Sequence, residues 1–261
     1  MKTPLNKVEI ISIYKVHGER VLLPERMAKS TPDTQTALKA ISIDLKDAGG
    51  KLVLSDLFRS YDMQLQAHLD WKTGKKRAYS PPPGGSLHEA GRAFDLSLKD
   101  MKIKLSDFWD IAKAHGMVPI ISTPDKRKSE AWHFECRGSH QVVYDYYKDG
   151  HGANMKPYKA MAASSILSIG VIVDKYDSNQ EAAYLQSCLV RLGLKLGNID
   201  GLIGRKTKQA VADAGSTYTN LEEAIVFVED EMQKKYPNEF RKTISDEGDI
   251  FDYDVPEDVD G

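Results

Sequence analysis

Cysteine is scarce in this sequence, with Cys136 and Cys188 the only two among 261 residues. They lie far apart in stretches of different character, so the sequence predicts no disulfide framework, and a four-cysteine metal site is excluded. Long apolar runs are also lacking. The closest approach to a membrane span, residues 160–173, is interrupted by three serines and a glycine, short of the roughly 18–20 continuous apolar residues that a span needs.

An excess of charge of either sign is missing as well. The chain has 36 basic and 38 acidic residues and a net charge of −2. Nucleic-acid binders usually carry a strong basic excess, so we expect no nucleic-acid partner. Apolar residues make up 41% and charged residues 28%, which is ordinary for a globular protein long enough to bury a full core.

Short strands and helices are mixed without regular alternation in the first 150 residues. This order predicts an α+β fold with a small mixed or antiparallel sheet and flanking helices. β-branched and aromatic runs predict strands over residues 8–16, 52–58, 94–98 and 132–136. Apolar spacing with start and stop signals predicts helices over residues 34–48, 62–71, 106–115 and 140–148.

The character of the chain changes after Gly150, which predicts more than one domain. We expect a first domain over residues 1–155, a linker over 156–178 and a small all-α domain over 179–245. The last stretch, 246–261, is acidic and poor in core residues, and its composition predicts disorder.

Three residues of the first domain have the chemistry of a catalytic zinc site. His88 ends a glycine- and proline-rich loop, Asp95 lies on the strand that follows, and His133 begins the last strand. Catalytic zinc takes three such imidazole and carboxylate ligands and keeps one position open for water. Gly91 permits a tight turn that lets His88 and Asp95 point to one place. Glu130, three residues before His133, is placed to act as the general base.

A structural interpretation applies to each pair taken alone. A histidine beside an aspartate is most often a packing residue, and Trp132 and Phe134 flank His133 as they would a core histidine. The complete pattern is harder to assign to packing. A proline-glycine loop, S-x-H-x-x-G-x-A-x-D and E-x-W-H follow one another in this order, which favours a metal site.

These motifs resemble the family that contains zinc D-Ala-D-Ala carboxypeptidases, vancomycin-resistance dipeptidases and phage L-alanyl-D-glutamate endopeptidases. The resemblance covers residues 38–147. It implies a Hedgehog- or DD-peptidase-like fold, Zn²⁺ held by His88, Asp95 and His133, and Glu130 as the catalytic acid and base. Phe94 stands where the family often has a small aliphatic residue, and we expect its side chain to point away from the metal.

The same resemblance assigns three further residues. Arg59, in the segment R-S-Y-x-x-Q, is expected to face the substrate carbonyl or carboxylate, where a fixed cation stabilises negative charge. A surface ion pair of Arg59 with Asp56 or Asp62 is the competing interpretation. Gln64, from the same segment, is expected to contact substrate. Ser86, before the first histidine, is expected either to hydrogen-bond substrate or to hold the loop.

A second block resembles a small peptidoglycan-binding module with the pattern LQ-x-x-L-x-x-LG-x-x-x-G-x-x-DG-x-x-G-x-x-T-x-x-A-V. It runs from Leu185 to Val211, and residues 221–236 are expected to add a helix. The match fades after Val211, where the chain continues Ala-Asp-Ala-Gly. A helical appendage that only packs against the first domain is the alternative.

The sequence therefore predicts a zinc peptidase acting on D-amino-acid-containing bonds of peptidoglycan, as a carboxypeptidase or an endopeptidase. The alternatives are an inactive wall-binding protein and, more remotely, a signalling domain on the same fold. The expected partners are stem peptides and glycan, and we expect a monomer. The N-terminus shows no apolar signal-peptide core, so we expect a phage-type lysis protein, non-classical export or a leader that has been removed.

Overall fold

The computed structural model of the protein describes residues 2–152, 159–217 and 220–240. The strands in these ranges are β1 (Asn6–Lys7), β2 (Ile11–Val16), β3 (Glu19–Leu22), β4 (Lys29–Ser30), β5 (Leu54–Asp56), β6 (Ala93–Leu96), β7 (Met117–Pro119) and β8 (His133–Cys136). The α-helices are α1 (Pro32–Asp47), α2 (Tyr61–Lys72), α3 (Leu105–Ala114), α4 (Gln141–Lys148), α5 (Lys159–Ile169), α6 (Gln180–Leu192), α7 (Arg205–Asp213) and α8 (Leu221–Lys235). No helix of the described ranges is long and apolar enough to cross a membrane.

Six strands form one mixed sheet in the order β3-β2-β5-β6-β8-β7, and β1 pairs with β4 separately. The pairing of β2 with β5 is parallel, and the other pairings are antiparallel. The predicted α+β class with a mixed sheet is thereby confirmed. The hairpin strand β3 and the edge strand β7 were not predicted.

The register of the central strands brings distant polar residues together. Asp95 of β6 faces His133 of β8, and Asp56 of β5 faces Asp95 from the other side. Residues directly opposite in an antiparallel pair have Cβ atoms about 4.5–5.5 Å apart. The three central strands therefore gather these side chains at one place without help from loops.

The opposite face of the same strands forms the main core. Because side chains alternate along a strand, Phe94 and Phe134 point away from Asp95 and His133. Their rings stack at a centroid distance of 5.5 Å, and Phe108 of α3 packs edge-on against Phe134 at 5.0 Å. The expectation that Phe94 points away from the metal residues is confirmed. Full burial of each such side chain contributes roughly 1.5–3 kcal/mol.

Helix α1 covers this core through the predicted apolar stripe. Leu38, Ile41 and Leu45 are completely buried. The helix begins as its sequence indicates, with Thr31 at the N-cap, proline at the first position and Asp33 in the first turn. Helix α3 differs slightly from the prediction. It begins at Leu105, and the side chain of Ser106 bonds to Asp107 without capping the helix.

A second core belongs to the helices that follow the sheet. It is formed by buried residues of α4, α5, α6, α7 and α8, among them Val143, Ile166, Leu189 and Val228. The described part of the expected linker over 156–178 contains α5, whose apolar side chains pack between α4 and α6. Its high content of small residues and serine concealed the helical face. The acidic stretch 246–261 lies outside the described residues.

Helices α5–α8 are called the helical unit below. One buried glutamine, Gln186, organises the glycine-rich turn of this unit. Gln186 Oε1 accepts from the backbone N–H groups of Asp200 and Gly201, each at 2.9 Å. Its Nε2 donates to Asp200 Oδ1 at 2.8 Å, to Leu202 O at 3.1 Å and to Thr207 Oγ1 at 3.2 Å. The spacing of the second motif therefore has a physical reason: glutamine, aspartate-glycine and threonine form one hydrogen-bonded unit.

We predict that Gln186→Ala destabilises the helical unit by about 2–4 kcal/mol, because it leaves several buried donors and acceptors without partners. Gln209→Ala is the matched control, since Gln209 is exposed and bonds only to Asp213 on the same helix. It should change the free energy of unfolding by less than about 0.5 kcal/mol. Urea unfolding followed by far-UV circular dichroism measures both, and equal midpoints would contradict the assigned role.

Candidate metal centre

His88 is oriented by the carbonyl group of another segment. Its Nδ1 lies 2.9 Å from Leu57 O, and the residue is 2% exposed. A carbonyl oxygen only accepts, so Nδ1 carries the proton and donates it. Nε2 is then the atom with the free lone pair, and it is buried without a hydrogen-bond partner in the described part of the chain. Metal-binding histidines typically have this arrangement.

Asp95 lies between the two histidines. Its Oδ1 is 2.8 Å from His133 Nδ1 and 3.3 Å from His88 Nε2. One potential ligand atom from each of the three residues lies within 4.8 Å of the others. A lone pair on His88 Nε2 and the Asp95 carboxylate repel each other, and either a proton or a metal cation between them removes the repulsion. Two imidazole nitrogens and a carboxylate oxygen fit Zn²⁺.

Electrostatics in the metal-free centre point the same way. Burial would raise the pKa of Asp95, but His88 and His133 lower it well below its usual value. Burial would lower the pKa of His133, but the hydrogen bond to Asp95 and the nearby carboxylate of Glu135 raise it to about 10. The centre therefore holds a negative carboxylate that is compensated by a proton on His133, and a divalent cation can replace that proton.

Glu135 lies beside His133 and was not among the predicted site residues. The carboxylate is completely buried, and its Oε1 lies 3.7 Å from His133 Nε2. Its Oε2 accepts from Arg137 Nη2 at 3.2 Å and from Tyr144 OH at 3.3 Å. With Nε2 facing Glu135, His133 presents Nδ1 to the centre. The sequence signal was available: His-x-Glu on a strand places both side chains on one face.

The turn that carries His88 needs a glycine, as the sequence predicted. Gly91 has φ +64°, and a Cβ there would lie 2.7 Å from Leu5 Cδ2 and 3.1 Å from Ser30 Cα.

Inside the turn, Ser86 Oγ accepts from the backbone N–H of His88 at 3.3 Å. Ser86 is only 5% exposed, so its clearest role in this geometry is to hold the loop.

The helical unit packs against this turn from outside. Ser165 Oγ of α5 donates to Ser86 O at 3.3 Å, and Val171 packs with Leu87 and Ala90. Met161, also on α5, lines the cleft itself. The segment that sequence composition marked as a linker is therefore part of the wall of the site.

Glu130 stands at the edge of the same cleft in an unusual backbone conformation. Its φ is +66°, a left-handed value that costs a non-glycine residue of the order of 1 kcal/mol or more. Its carboxylate accepts only a long bond, 3.4 Å, from Ser129 Oγ. Burial raises its pKa from the ordinary value. A half-buried carboxylate with a raised pKa beside a metal centre has the properties of a general base.

For Arg59 the sequence left two interpretations open, a cation facing the substrate and a surface ion pair. Arg59 pairs with Asp56, with Nε and Nη2 each 2.6 Å from Asp56 Oδ2, but the pair is inside the cleft. The guanidinium is 11% exposed and its Nη2 lies 3.6 Å from Asp95 Oδ2. Asp62 does not take part. The structure thus places Arg59 beside the metal centre and holds it there through Asp56.

Gln64 lies beneath the cleft and is completely buried. Its Oε1 accepts from Arg59 Nη1 at 3.1 Å, and its Nε2 donates to Pro81 O at 2.6 Å and to Ser80 Oγ at 3.1 Å. Both hydrogens of Nε2 are therefore donated inside the protein, and Gln64 ties Arg59 to the proline loop. The substrate contact expected of Gln64 stays a prediction.

The cleft above these residues has a volume of about 320 Å³. Its polar wall contains the metal residues with Arg59, Glu130 and Lys76, and its apolar wall is formed by Tyr79, Pro81, Ile120, Trp132 and Met161. The other histidines of the described ranges lie outside it. His68, for example, bonds to Ser80 O, and His115 to Asp44.

Comparisons with known proteins give limited information. No protein-family model matches the sequence, and no curated protein matches it. Among solved structures the chain is similar to the LdcB LD-carboxypeptidase, with 18% identity and a TM-score of 0.40 over 55% of this chain and 73% of that one. It is also similar to DacB from Streptococcus pneumoniae D39, with 21% identity and a TM-score of 0.35 over 57% and 91%. At these values, function is inferred from the site alone.

We predict that the protein binds one zinc ion per chain and that His133→Ala lowers the zinc content to background after dialysis, because two remaining ligands hold zinc weakly. His68→Ala is the matched control, because His68 is a half-buried histidine outside the cleft. This variant should keep its full zinc content. Inductively coupled plasma mass spectrometry measures the ratio of zinc to protein. Undiminished zinc in His133→Ala would contradict the assignment.

We also predict that zinc binding releases about one proton at pH 7.5. The pKa of His133 is raised to about 10 in the metal-free centre, so its ring is protonated until zinc displaces the proton. At pH values below this pKa, the apparent zinc affinity should increase about tenfold for each unit by which the pH is raised. Calorimetry in two buffers of different ionisation enthalpy measures the release, and equal heats in both would show that no proton leaves.

Proposed function

We propose that the protein is a zinc-dependent peptidase that hydrolyses D-amino-acid-containing peptide bonds of bacterial peptidoglycan. The observation that carries the proposal is the convergence of His88 Nε2, Asp95 Oδ1 and His133 Nδ1 in a cleft that also contains Glu130 and Arg59. The three ligand atoms are the reason for proposing zinc. Glu130 and Arg59 in the same cleft are the reason for proposing hydrolysis. The substrate class rests on the sequence motifs that these same residues form.

Zinc held by the three residues would supply a Lewis acid for the scissile carbonyl and for the attacking water. The Glu130 carboxylate takes a proton from that water and passes it to the leaving nitrogen. Its raised pKa suits both halves of this transfer, since the protonated form must persist long enough to donate. The left-handed backbone at Glu130 keeps the carboxylate at the mouth of the cleft.

Arg59 is assigned the stabilisation of negative charge on the substrate. Its guanidinium is buried and held by Asp56 and Gln64, so little reorganisation is needed when charge develops. Removing a preorganised donor of this kind typically costs about 2.7–4 kcal/mol of transition-state stabilisation. A merely structural ion pair at the surface would contribute roughly 0–1 kcal/mol.

The helical unit is proposed to hold the enzyme on the wall. The hydrogen-bonded turn of Gln186, Asp200 and Thr207 supports this, because it has the residue types and spacing of the wall-binding motif. A groove of about 360 Å³ beside it, lined by Ile203, Lys208 and Asn220 among others, offers a surface for glycan.

We predict that Glu130→Gln keeps zinc and fold but loses about 10²–10⁴-fold in turnover, because the amide cannot accept the proton. Glutamine preserves the size of the side chain, so the left-handed backbone is not perturbed further. Purified wall fragments are incubated with each protein and the products are identified by mass. Free D-alanine identifies a carboxypeptidase, and split stem peptides identify an endopeptidase.

The same digestion separates the enzyme from an inactive wall-binding protein. Glu130→Gln should still sediment with insoluble wall while leaving it intact. If the zinc-loaded wild type also sediments with the wall but releases no product, the enzymatic proposal fails and the binding-protein alternative stands. If Glu130→Gln retains near-normal turnover, another group, such as Glu89, is the base.

A further inference from the structure

Lys76 faces the metal cleft from the loop that follows α2. The loop carries three consecutive cations, of which Lys75 and Arg77 are exposed and Lys76 is half-buried. A backbone hydrogen bond from Lys76 N to Asp70 O, at 3.0 Å, fixes the chain where the side chain turns inward. Lys76 lines the same cavity as His88, Asp95 and His133.

The amine of Lys76 has no anionic partner within the described part of the chain. Two of the carboxylates around it are engaged elsewhere, Asp56 with Arg59 and Asp95 with the two histidines. The charge of Glu130 acts on the amine across the cleft, but the two form no ion pair within the described residues. Arg59, the other cation of the cleft, is already paired. Burial, and after it the charge of Arg59, lowers the pKa of the Lys76 amine. A desolvated cation left unpaired favours an anion from outside.

The anion must fit beside a peptide bond lying over the metal centre. The cavity of about 320 Å³ is at the lower end of the range for small-ligand sites, about 300–1,000 Å³. It therefore accepts one or two residues around the scissile bond. When the acyl residue is linked through its α-carboxyl, that carboxyl carbon is the one being cleaved and carries no charge. A free carboxylate next to the scissile bond has to come from the leaving residue.

We propose that Lys76 binds the free α-carboxylate of the residue whose nitrogen leaves, and so restricts cleavage to bonds that carry such a carboxylate. The inference rests on the proposed peptidase function. Two kinds of bond share this chemistry. In a C-terminal D-Ala-D-Ala bond the leaving D-alanine has a free α-carboxylate. In an L-Ala-γ-D-Glu bond the glutamate is extended through its γ-carboxyl, so its α-carboxylate is free although it lies within the chain.

The proposal explains why the carboxypeptidase and endopeptidase activities can be served by one cleft. Both leaving residues place a carboxylate one carbon from the nitrogen that Glu130 protonates. An ion pair with Lys76 would orient that nitrogen. A charge-assisted hydrogen bond in a partly desolvated cleft corresponds to about a ten- to hundredfold preference in kcat/KM.

Four peptides test the proposal with the zinc-loaded full chain. They are acetyl-L-Lys-D-Ala-D-Ala and L-Ala-γ-D-Glu-L-Lys, each as the free acid and with the carboxylate of the leaving residue converted to an amide. The wild type should cleave at least one acid about ten- to hundredfold better than its amide. The acid that is cleaved identifies which source of the carboxylate the enzyme uses.

Lys76→Met should remove this preference. Its kcat/KM should fall for the acid, mainly through a higher KM, and stay unchanged for the amide, which also shows that the variant is folded. Lys76→Arg should restore part of the preference, because it retains the charge. Lys75→Met is the matched control and should behave as wild type. Equal losses of acid and amide turnover in Lys76→Met, or no loss, would overturn the proposal.

Binding separates this proposal from the proposed function. Calorimetry with Glu130→Gln, alone and combined with Lys76→Met, measures the affinity for the same four peptides without turnover. An acid that binds better than its amide only when Lys76 is present supports the carboxylate site, even if the wild type cleaves nothing and the peptidase proposal fails. Equal affinities for acid and amide overturn it, whether or not turnover is observed.

Discussion

Asp95 and His133 face each other across the antiparallel pairing of β6 with β8, and the same pairing stacks Phe94 on Phe134 on the opposite face. Because side chains alternate along a strand, the register that places Asp95 opposite His133 also places Phe94 opposite Phe134. A shift of either strand by one residue would move its phenylalanine out of the core and its polar neighbour, Asp95 or His133, into it. Burial of the aromatic rings therefore holds the metal residues in place, so the energy of folding and the geometry of the centre are linked.

The metal centre concentrates charge that a folded protein usually avoids. Asp95, His133, Glu135 and Arg59 are nearly or fully buried, and each depends on its neighbours for compensation. Burying charges costs several kcal/mol per ion unless they are paired and hydrogen-bonded. Here the pairing runs from Asp56 through Arg59 to Asp95, His133 and Glu135. This network of ion pairs keeps the groups ionised and oriented, and it leaves His88 Nε2 available as a metal ligand.

Much of this arrangement could be predicted from the sequence. Apolar periodicity was enough for α1, and the glycine at position 91 was enough for the turn of His88. The residues His88, Asp95 and His133 could be grouped because their types and order match one kind of chemistry. Local patterns do not reveal partners that are distant in sequence. Leu57, whose carbonyl orients His88, gave no signal, since any residue supplies a carbonyl group.

Other features were hidden for related reasons. Helix α5 was interpreted as a linker because its small residues and serines resemble a connecting segment, although they allow close packing between α4 and α6. Gln64 was expected at the substrate from the resemblance of its motif, and no pattern in the sequence indicated the bonds that its amide makes to Arg59 and to the proline loop. Lys76 could not be distinguished from Lys75 and Arg77 until the structure showed which of the three turns inward.

The geometry makes a specific claim about which atoms hold the metal: His88 through Nε2, because Nδ1 is bound to Leu57 O, and His133 through Nδ1, because Nε2 faces Glu135. Crystals of the zinc-loaded protein, measured on both sides of the zinc absorption edge, test it most directly. The account predicts one anomalous peak at about 2.0–2.2 Å from His88 Nε2, His133 Nδ1 and an Asp95 oxygen. A peak elsewhere, or coordination through the opposite ring nitrogens, would contradict it.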